Sequence, residues 1–575
     1  MRIKHFFGLA VLAAMTASCS SNNELVNSGN GSGENESGVG YATLSINLPT
    51  TSGTRAAGDP EFKPGDANEY DVKDVTLLIF KEAGSSEDEY TYVEKADLGT
   101  MAPWVKDGSN GITTAATITA KLSSVDLKGN YYALAILNNK DNTNAPKVKM
   151  PTTEQTYSDW NSENNADGTK FADNTNGFYM ANAPEFTAAG EEPTTLVKIN
   201  KIYATKQAAE TNPATTIHVE RGLAKVTVAA LPTKQTPTGT KYKSDKVDIT
   251  AWNLDVTNKS TFPIHKTAGL TSPFTTIWSA STDPAPSTGR FVDGTNTAFK
   301  RVYWGVDPNY DKDYTEVSDC KNEFTLLEAN AAITGDAATP QYCLENTFDI
   351  KHMLQGQTTR VVFKATYTPH GFNAGDTFYK IGNNTDLWSK TTLVEQIKAK
   401  AQEVLGKESA TNKVEVDLKA ADNNIEENAG TKILKEANVQ HNGANVAPEE
   451  IKAINEKLGL KAATETDPIV GIATYASGES YYIARIKHFG NDLTPWNEGD
   501  LTYGDNDATQ NNKYLGRYGV LRNNWYELTV HSVSGPGTPD VPTIKPTDPD
   551  DENYKYISVS VKILDWAKRS QNVDL

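Results

Sequence analysis

Alternation of apolar and polar residues with a period of two dominates this chain. From Tyr41 to Leu48, Ala42, Leu44, Ile46 and Leu48 alternate with Tyr41, Thr43, Ser45 and Asn47. That pattern predicts a strand with one apolar face, ended by Pro49. Val72 to Phe80 predicts a strand buried on both faces near its end, and YYALAIL at 131–137 is similar. IHVERGLAKVTVAALP, from Ile217 to Pro232, alternates on either side of Gly222. DITAWNLDV, TTRVVFKATY, YYIARIKHF and WYELTVHSV repeat the pattern downstream. The turn signal ASGES at Ala476–Ser480 joins two such runs and predicts a hairpin.

Helical periodicity is confined to two places. Thr392 to Leu405 has apolar residues at 393, 397, 401, 404 and 405 before Gly406, and Pro448 to Leu458 opens on Pro and acids and stops at Gly459. Both predict short helices inside a loop insertion. The fold expected is mainly β, built of sandwiches with Greek-key links. LPTKQTPTGT at 231–240 marks a domain boundary, giving sandwiches over 56–232 and 233–533.

Residues 20–40 are Ser-, Asn- and Gly-rich and read as a tether. After the first strand, TTSGTRAAGD is a small, polar loop around Arg55, open to a protease. Residues 534–553 are Pro-, Gly- and Asp-rich and are expected to stay extended and unpacked. Beyond them, Ile557, Val559, Val561 and Ile563 alternate with Ser558, Ser560 and Lys562, giving one amphipathic strand over 554–566 on a long leash.

A lone strand cannot satisfy its backbone or bury its face unaided. Two arrangements are open for this one. It can fold back in cis as an ordinary last strand. Alternatively, a cut after Arg55 removes residues 41–48 and opens a groove, which the tail of a neighbouring copy fills by strand addition in trans. Such a contact is head-to-tail and does not close, so it builds a filament.

Length and charge narrow the picture. At 575 residues the chain suits two or three domains, and its net charge of −18 argues against nucleic acid or an anionic membrane surface as partner. Arg2, Lys4 and the apolar run Phe6–Met15 form an export signal too short to span a bilayer. Small residues precede Cys19, as at a bacterial lipoprotein site, although Thr16 stands where Leu is usual; a plain secretory signal is the other reading. Export permits a disulfide between Cys320 and Cys343, and two buried free thiols are the alternative. No GxxxxGK[ST], HExxH or GxSxG motif occurs, and no cofactor is expected. DPNYDKD at 307–313 spaces oxygens like a calcium loop but lacks its Gly and Glu, and reads as a solvated loop.

Several segments, in this order, resemble the fimbrillin (type V pilin) family of Bacteroidales. They are the start at Cys19, Ser52-Gly53-Thr54-Arg55, YYALAILNN at 131–139, GFYMANA at 177–183 and VERGLAKV at 219–226. YCLENT at 342–347, RNNWYELTV at 522–530 and VSVKILDW at 559–566 complete the set. Within the family the likeness is greatest to main shaft subunits of the short, minor fimbria. The resemblance implies two transthyretin-like sandwiches, and with the catalytic motifs above missing no enzymatic activity is expected. It implies a signal peptide over 1–18, a lipid on Cys19 of an outer-membrane precursor, and a propeptide over 19–55. An Arg-specific extracellular protease would cut between Arg55 and Ala56. The C-terminal donor strand, with Ile557, Val559, Val561, Ile563 and Trp566, would then replace the removable strand carrying Ala42, Leu44, Ile46 and Leu48. Implied partners are identical subunits, accessory tip and anchor pilins, and receptors on host or bacterial surfaces. A surface lipoprotein binding glycans through exposed aromatics is the rival reading, since the chain has 9 Trp and 25 Tyr.

Overall fold

Within VTLLIFK, Leu77 to Phe80 are apolar without a break because two cores meet on them. Leu77 and Ile79 face one core, Leu78 and Phe80 the other, and all four are buried. The computed structural model describes residues 39–49, 65–98, 105–106, 112–185, 193–212, 214–267, 302, 304–464, 467–489, 494, 514–550, 557–564 and 569–570. The described protein is mainly β. Its N-terminal strands are β1 (Gly40–Pro49), β2 (Val75–Lys81), β3 (Thr91–Lys95), β4 (Val105–Lys106) and β5 (Ile112–Leu122). They continue with β6 (Tyr131–Leu137), β7 (Met180–Asn182), β8 (Val197–Lys198) and β9 (Thr215–Arg221). These nine form one sheet in the order β3-β2-β6-β7-β9-β1-β5-β4, with β8 on β6. The sheet folds over, so that Leu44, Ile46 and Ile118 pack in one core with Leu77, Ile79 and Ala133. The second core lies under the loops of residues 145–183, around Trp160, Phe171 and Phe178.

The chain passes to the C-terminal half at Gly222, where a Cβ would sit 2.8 Å from Tyr179 Cδ1 and 2.9 Å from Phe171 Cδ2, so only glycine fits without a shift. The next strand, β10 (Ala224–Val228), lies between Gln341–Cys343 and Trp525–Val533, running parallel to the latter, so it belongs to the C-terminal sheet although it precedes the Pro- and Gly-rich stretch at 231–240. A second sheet of Lys246–Asp255, Arg360–Thr368 and Glu479–Arg485 packs against this one, burying Val226, Ile249, Trp252, Phe363, Tyr482 and Leu528 between them. The two halves meet at paired buried charges. Lys225 Nζ lies 2.6 Å from Glu69 Oε1 and 4.0 Å from the Trp525 ring centroid. Glu220 of the N-terminal half lies 2.7 Å from His265, which in turn neighbours Glu345, the partner of Arg522 at 3.2 Å within the C-terminal half. Removing one partner of the Lys225–Glu69 pair would strand a buried charge and cost about 3–5 kcal/mol.

Residues 382–471 form the insertion. Its helices, Lys390–Leu405 and Pro448–Lys457, share a core through Leu393, Ile397, Ala401, Ile451 and Ile454. Gly406 ends the first helix at φ 93°.

Two expectations here need correction, on the ASGES turn and the linker, and the open question of the two cysteines is answered by free thiols. The ASGES turn makes no hairpin, although Ser477 and Gly478 have the left-handed φ of one, 54° and 71°. Ile472–Tyr475 pairs with Phe378–Ile381, and Glu479–Arg485 pairs with Arg360–Thr368, so the turn leads from one sheet to another. Local sequence encodes the turn, but the ladder partners come from far away. Cys320 and Cys343 are free and buried in separate clusters, Cys320 with Tyr314, Phe324 and Ile544, Cys343 with Ala224 and Val226. Burial pushes these thiols up to about 11 and 12 respectively. The linker, finally, is extended but not unpacked. Through residue 550 it lies flat along the C-terminal half, with Val541 and Ile544 buried. Composition indicates the extended backbone of a Pro- and Gly-rich segment, but the same lack of bulk lets it press against a sheet. Gly537 shows this, because a Cβ there would stand 2.0 Å from Tyr481 O.

Candidate functional site

The first strand among the described residues, β1, occupies an interior position in its sheet. All ten residues of β1 run antiparallel to β5, from Gly40 opposite Leu122 to Pro49 opposite Ile112. On its other edge, Leu44 to Asn47 run parallel to Thr215 to His218 of β9. The start of β1 is fixed by reciprocal backbone bonds between Tyr41 and Tyr203, each 2.8 Å. Thr43 and Thr119 hydroxyls meet across the ladder at 3.0 Å. The predicted face is the buried one, since Ala42, Leu44, Ile46 and Leu48 are at most 2% exposed. Across the core from them lie Leu77, Ile79 and Ala133, and Ile217 of β9 flanks Ile46 in the ladder.

Taking β1 away would leave β5 and β9 about two strand spacings apart, near 9.6 Å. The gap would hold one strand, with unpaired backbone groups on both walls and an apolar floor. Substituting Ile46→Ala probes how far the fold leans on this strand. Chemical denaturation of the uncut chain should show a loss of about 2–5 kcal/mol, as for other buried Ile sites.

Ile557–Leu564 is a strand, as its alternation predicts, and the uncut chain takes the cis arrangement. It pairs antiparallel with Trp525–Val533, and Lys562 and Ile563 pair with Ser570 and Arg569 on its far side. The register sets Ile557, Val559, Val561 and Ile563 opposite Val533, Val530, Leu528 and Tyr526. Those four partners all belong to the C-terminal core. The two terminal strands thus differ in security. β1 is held by long ladders within a sheet, whereas the tail has one full ladder and a two-residue outer pair.

Cys19, Arg55, Ala56 and Trp566 lie outside the described residues. The structure therefore brings the removable-strand residues together in one core and places the tail strand on a different sheet. Around the linker it adds partners that sequence reading missed. Asp550, in the acidic run DPDDEN, reads as solvated, yet it is fully buried 2.8 Å from Arg485 Nε.

The remaining candidate chemistry is structural. The DPNYDKD loop is not solvated throughout as expected: Asp307 and Asn309 are buried, and Asp307 accepts from the backbone N–H groups of Asn309 and Thr347, both at 2.6 Å, and from Asn258 Nδ2 at 2.9 Å, because distant polar groups supply the donors that water would. Burial pushes its carboxyl up to about 7. Its oxygens are thus committed to protein donors. Among the described residues no group of three or more His, Cys, Asp or Glu could hold a metal ion, and no helix is long and apolar enough to cross a membrane.

Residues 473–572 match the family described as major fimbrial subunit protein type IV, fimbrillin, C-terminal. The match covers Glu479–Arg485, Trp525–Val533, the linker and the tail strand. A putative cell adhesion protein from Parabacteroides distasonis ATCC 8503 is similar at 11% identity over 92% of this chain and 99% of that one, with a TM-score of 0.34. A fimbrial assembly protein from the same organism is similar at 13% identity over 60% of this chain and 93% of that one, with a TM-score of 0.23. Superpositions this loose carry no weight for the fold. No curated protein matches this chain.

Proposed function

We propose that this chain is a structural shaft subunit of a cell-surface fimbrium, and that it polymerises by exchanging its terminal strands. In this reading the chain is exported, lipidated at Cys19, and cut between Arg55 and Ala56 by an Arg-specific extracellular protease. β1 then leaves, and the tail strand of another copy enters its place. The filament supports adhesion to host or bacterial surfaces and is completed by accessory tip and anchor pilins. The fimbrillin match over residues 473–572 supports the fimbrial part of this reading.

One observation carries the exchange. The strand that a cut at Arg55 would release fills an interior slot, and the tail repeats its chemistry. Ile557, Val559, Val561 and Ile563 have the same two-residue spacing as Ala42, Leu44, Ile46 and Leu48. Burying four β-branched side chains is worth roughly 6–12 kcal/mol before the cost of ordering the tail. Backbone bonds to both walls add about 0.5–1.5 kcal/mol each.

The test uses the two faces of the tail. Protease-treated protein should give a high-mass ladder on unboiled SDS gels that collapses on heating. Val559→Asp or Val561→Asp should abolish the ladder, because an unpaired carboxylate would enter the slot. Ser558→Asp and Ser560→Asp should leave it. Equal loss from both faces would defeat the assignment of this strand as the donor.

A further inference from the structure

The linker's hydrogen bonds go to residues outside Trp525–Val533, the strand on which the tail pairs. Thr538 and Tyr481 exchange backbone bonds, each 2.9 Å, and Gly537 N donates to Ser480 Oγ at 2.8 Å. Tyr475 OH and Tyr482 OH donate to the carbonyls of Gly537 and Gly535 at 2.7 and 3.0 Å. Val541 N donates to Ala329 O at 3.2 Å, and the Arg360 guanidinium donates to Pro542 O. Further on, Gln355 N donates to Asp548 O at 2.9 Å. The segment ends at Asp550, whose backbone N–H donates to Met353 O at 3.3 Å and whose carboxylate takes Arg485 and the Thr358 hydroxyl. Peeling the tail strand from Trp525–Val533 breaks none of these bonds. Lifting the linker would break all of them, and would expose Arg485 and Asp550 from a site where both are buried.

We infer that residues 535–550 stay bound to their own subunit when the tail is donated, with the Asp550–Arg485 ion pair as the fixed point from which the arm swings. The inference rests on the exchange proposed above and sets its geometry. The arm begins at Asp551, and only the six residues 551–556 separate the clamp from the donor strand. At about 3.4 Å per residue they reach roughly 20 Å, whereas a free linker from residue 534 would reach roughly 75 Å. The mouth of the acceptor slot therefore sits within about 20 Å of the donor's Asp550. Successive subunits meet in direct contact, not as beads on a string. Asp550 is a positioning residue in this scheme, since it acts through the strand it holds.

A thiol under the clamp reports its state. Cys320 is fully buried in a cluster with Ile544 of the linker, and Pro546 covers the same spot beside Gly356. Cys343 lies in the central core and serves as the internal reference. Filaments assembled from protease-cut protein are treated with a maleimide, and labelling at each thiol is followed by mass spectrometry beside the uncut monomer. Cys320 should label in the filament at less than about tenfold its monomer rate. A rise of about tenfold or more at Cys320 overturns the clamp, while the exchange itself stands because filaments have formed. Failure of the cut wild-type protein to form any filament overturns the exchange and the clamp with it. Asp550→Asn should form filaments in which Cys320 labels at least about tenfold faster than in the wild-type polymer. Thr358→Val removes only one hydrogen bond to Asp550 and replaces that variant should it fail to fold. Wild-type labelling in both variants would overturn the role of Asp550.

Discussion

Protein lacking residues 554–575 should remain folded and should fail to elongate after proteolysis. Its tail strand pairs along one edge of Trp525–Val533, and the linker's anchoring ends at Asp550, upstream of the deletion. The described core residues of both halves, Val226, Phe363 and Leu528 in one and Leu44, Ile79 and Ala133 in the other, all lie upstream of the deletion. Far-UV circular dichroism and the denaturation midpoint should therefore show a native, somewhat destabilised protein. The defect should be directional. The truncated subunit keeps the slot between β5 and β9 and can accept a tail, but it has none to offer. Mixed with full-length cut subunits, it should cap growing ends and shorten filaments as its share rises. Alone, it should give no species above the monomer on unboiled gels. Filaments of ordinary length from the truncated protein would mean that some other element joins the subunits.

What could be read in the sequence depended on whether a feature is local. The period of two in β1 fixed both the strand and its buried face, because alternation and burial are the same fact. The doubly buried β2 was legible for the same reason. The two insertion helices carried their own start and stop residues, Pro448 and Gly406 among them. Pairing across long separations was not legible. Alternation says that β1 has an apolar face, but not that it lies between β5 and β9. The ASGES turn misled, and the pairing of the two cysteines stayed open, for the same reason, since spacing along the chain does not give distance in the fold. Asp550 failed differently. An acidic residue in a Pro- and Asp-rich run is solvated by default, and only the arrival of Arg485 from a distant strand makes its burial tolerable.

Replacing Arg55 by Ala should hold the protein as a monomer at every concentration, and the reason lies in how β1 is attached. Leu44, Ile46 and Leu48 are buried, and at about 1.5–3 kcal/mol each they contribute roughly 5–9 kcal/mol before the backbone ladders are counted. A cut after Arg55 does not weaken those contacts. It changes what happens once the strand comes out. In the uncut chain β1 remains tethered through residues 50–74, so its effective concentration at the slot stays in the millimolar range or above. An incoming tail at micromolar concentration is outcompeted about a thousandfold for equal intrinsic affinity. After the cut, a β1 segment that leaves is diluted, and the balance passes to the tail. Size exclusion and unboiled gels should thus show Arg55→Ala as a monomer before and after treatment with an Arg-specific protease. Substituting the recognition sequence of an unrelated protease for residues 52–55 should restore assembly when that protease is added. This arm separates the severed bond from any other role of the arginine. Full-length filaments of uncut Arg55→Ala would show that β1 yields its place without release, and would remove proteolysis as the trigger.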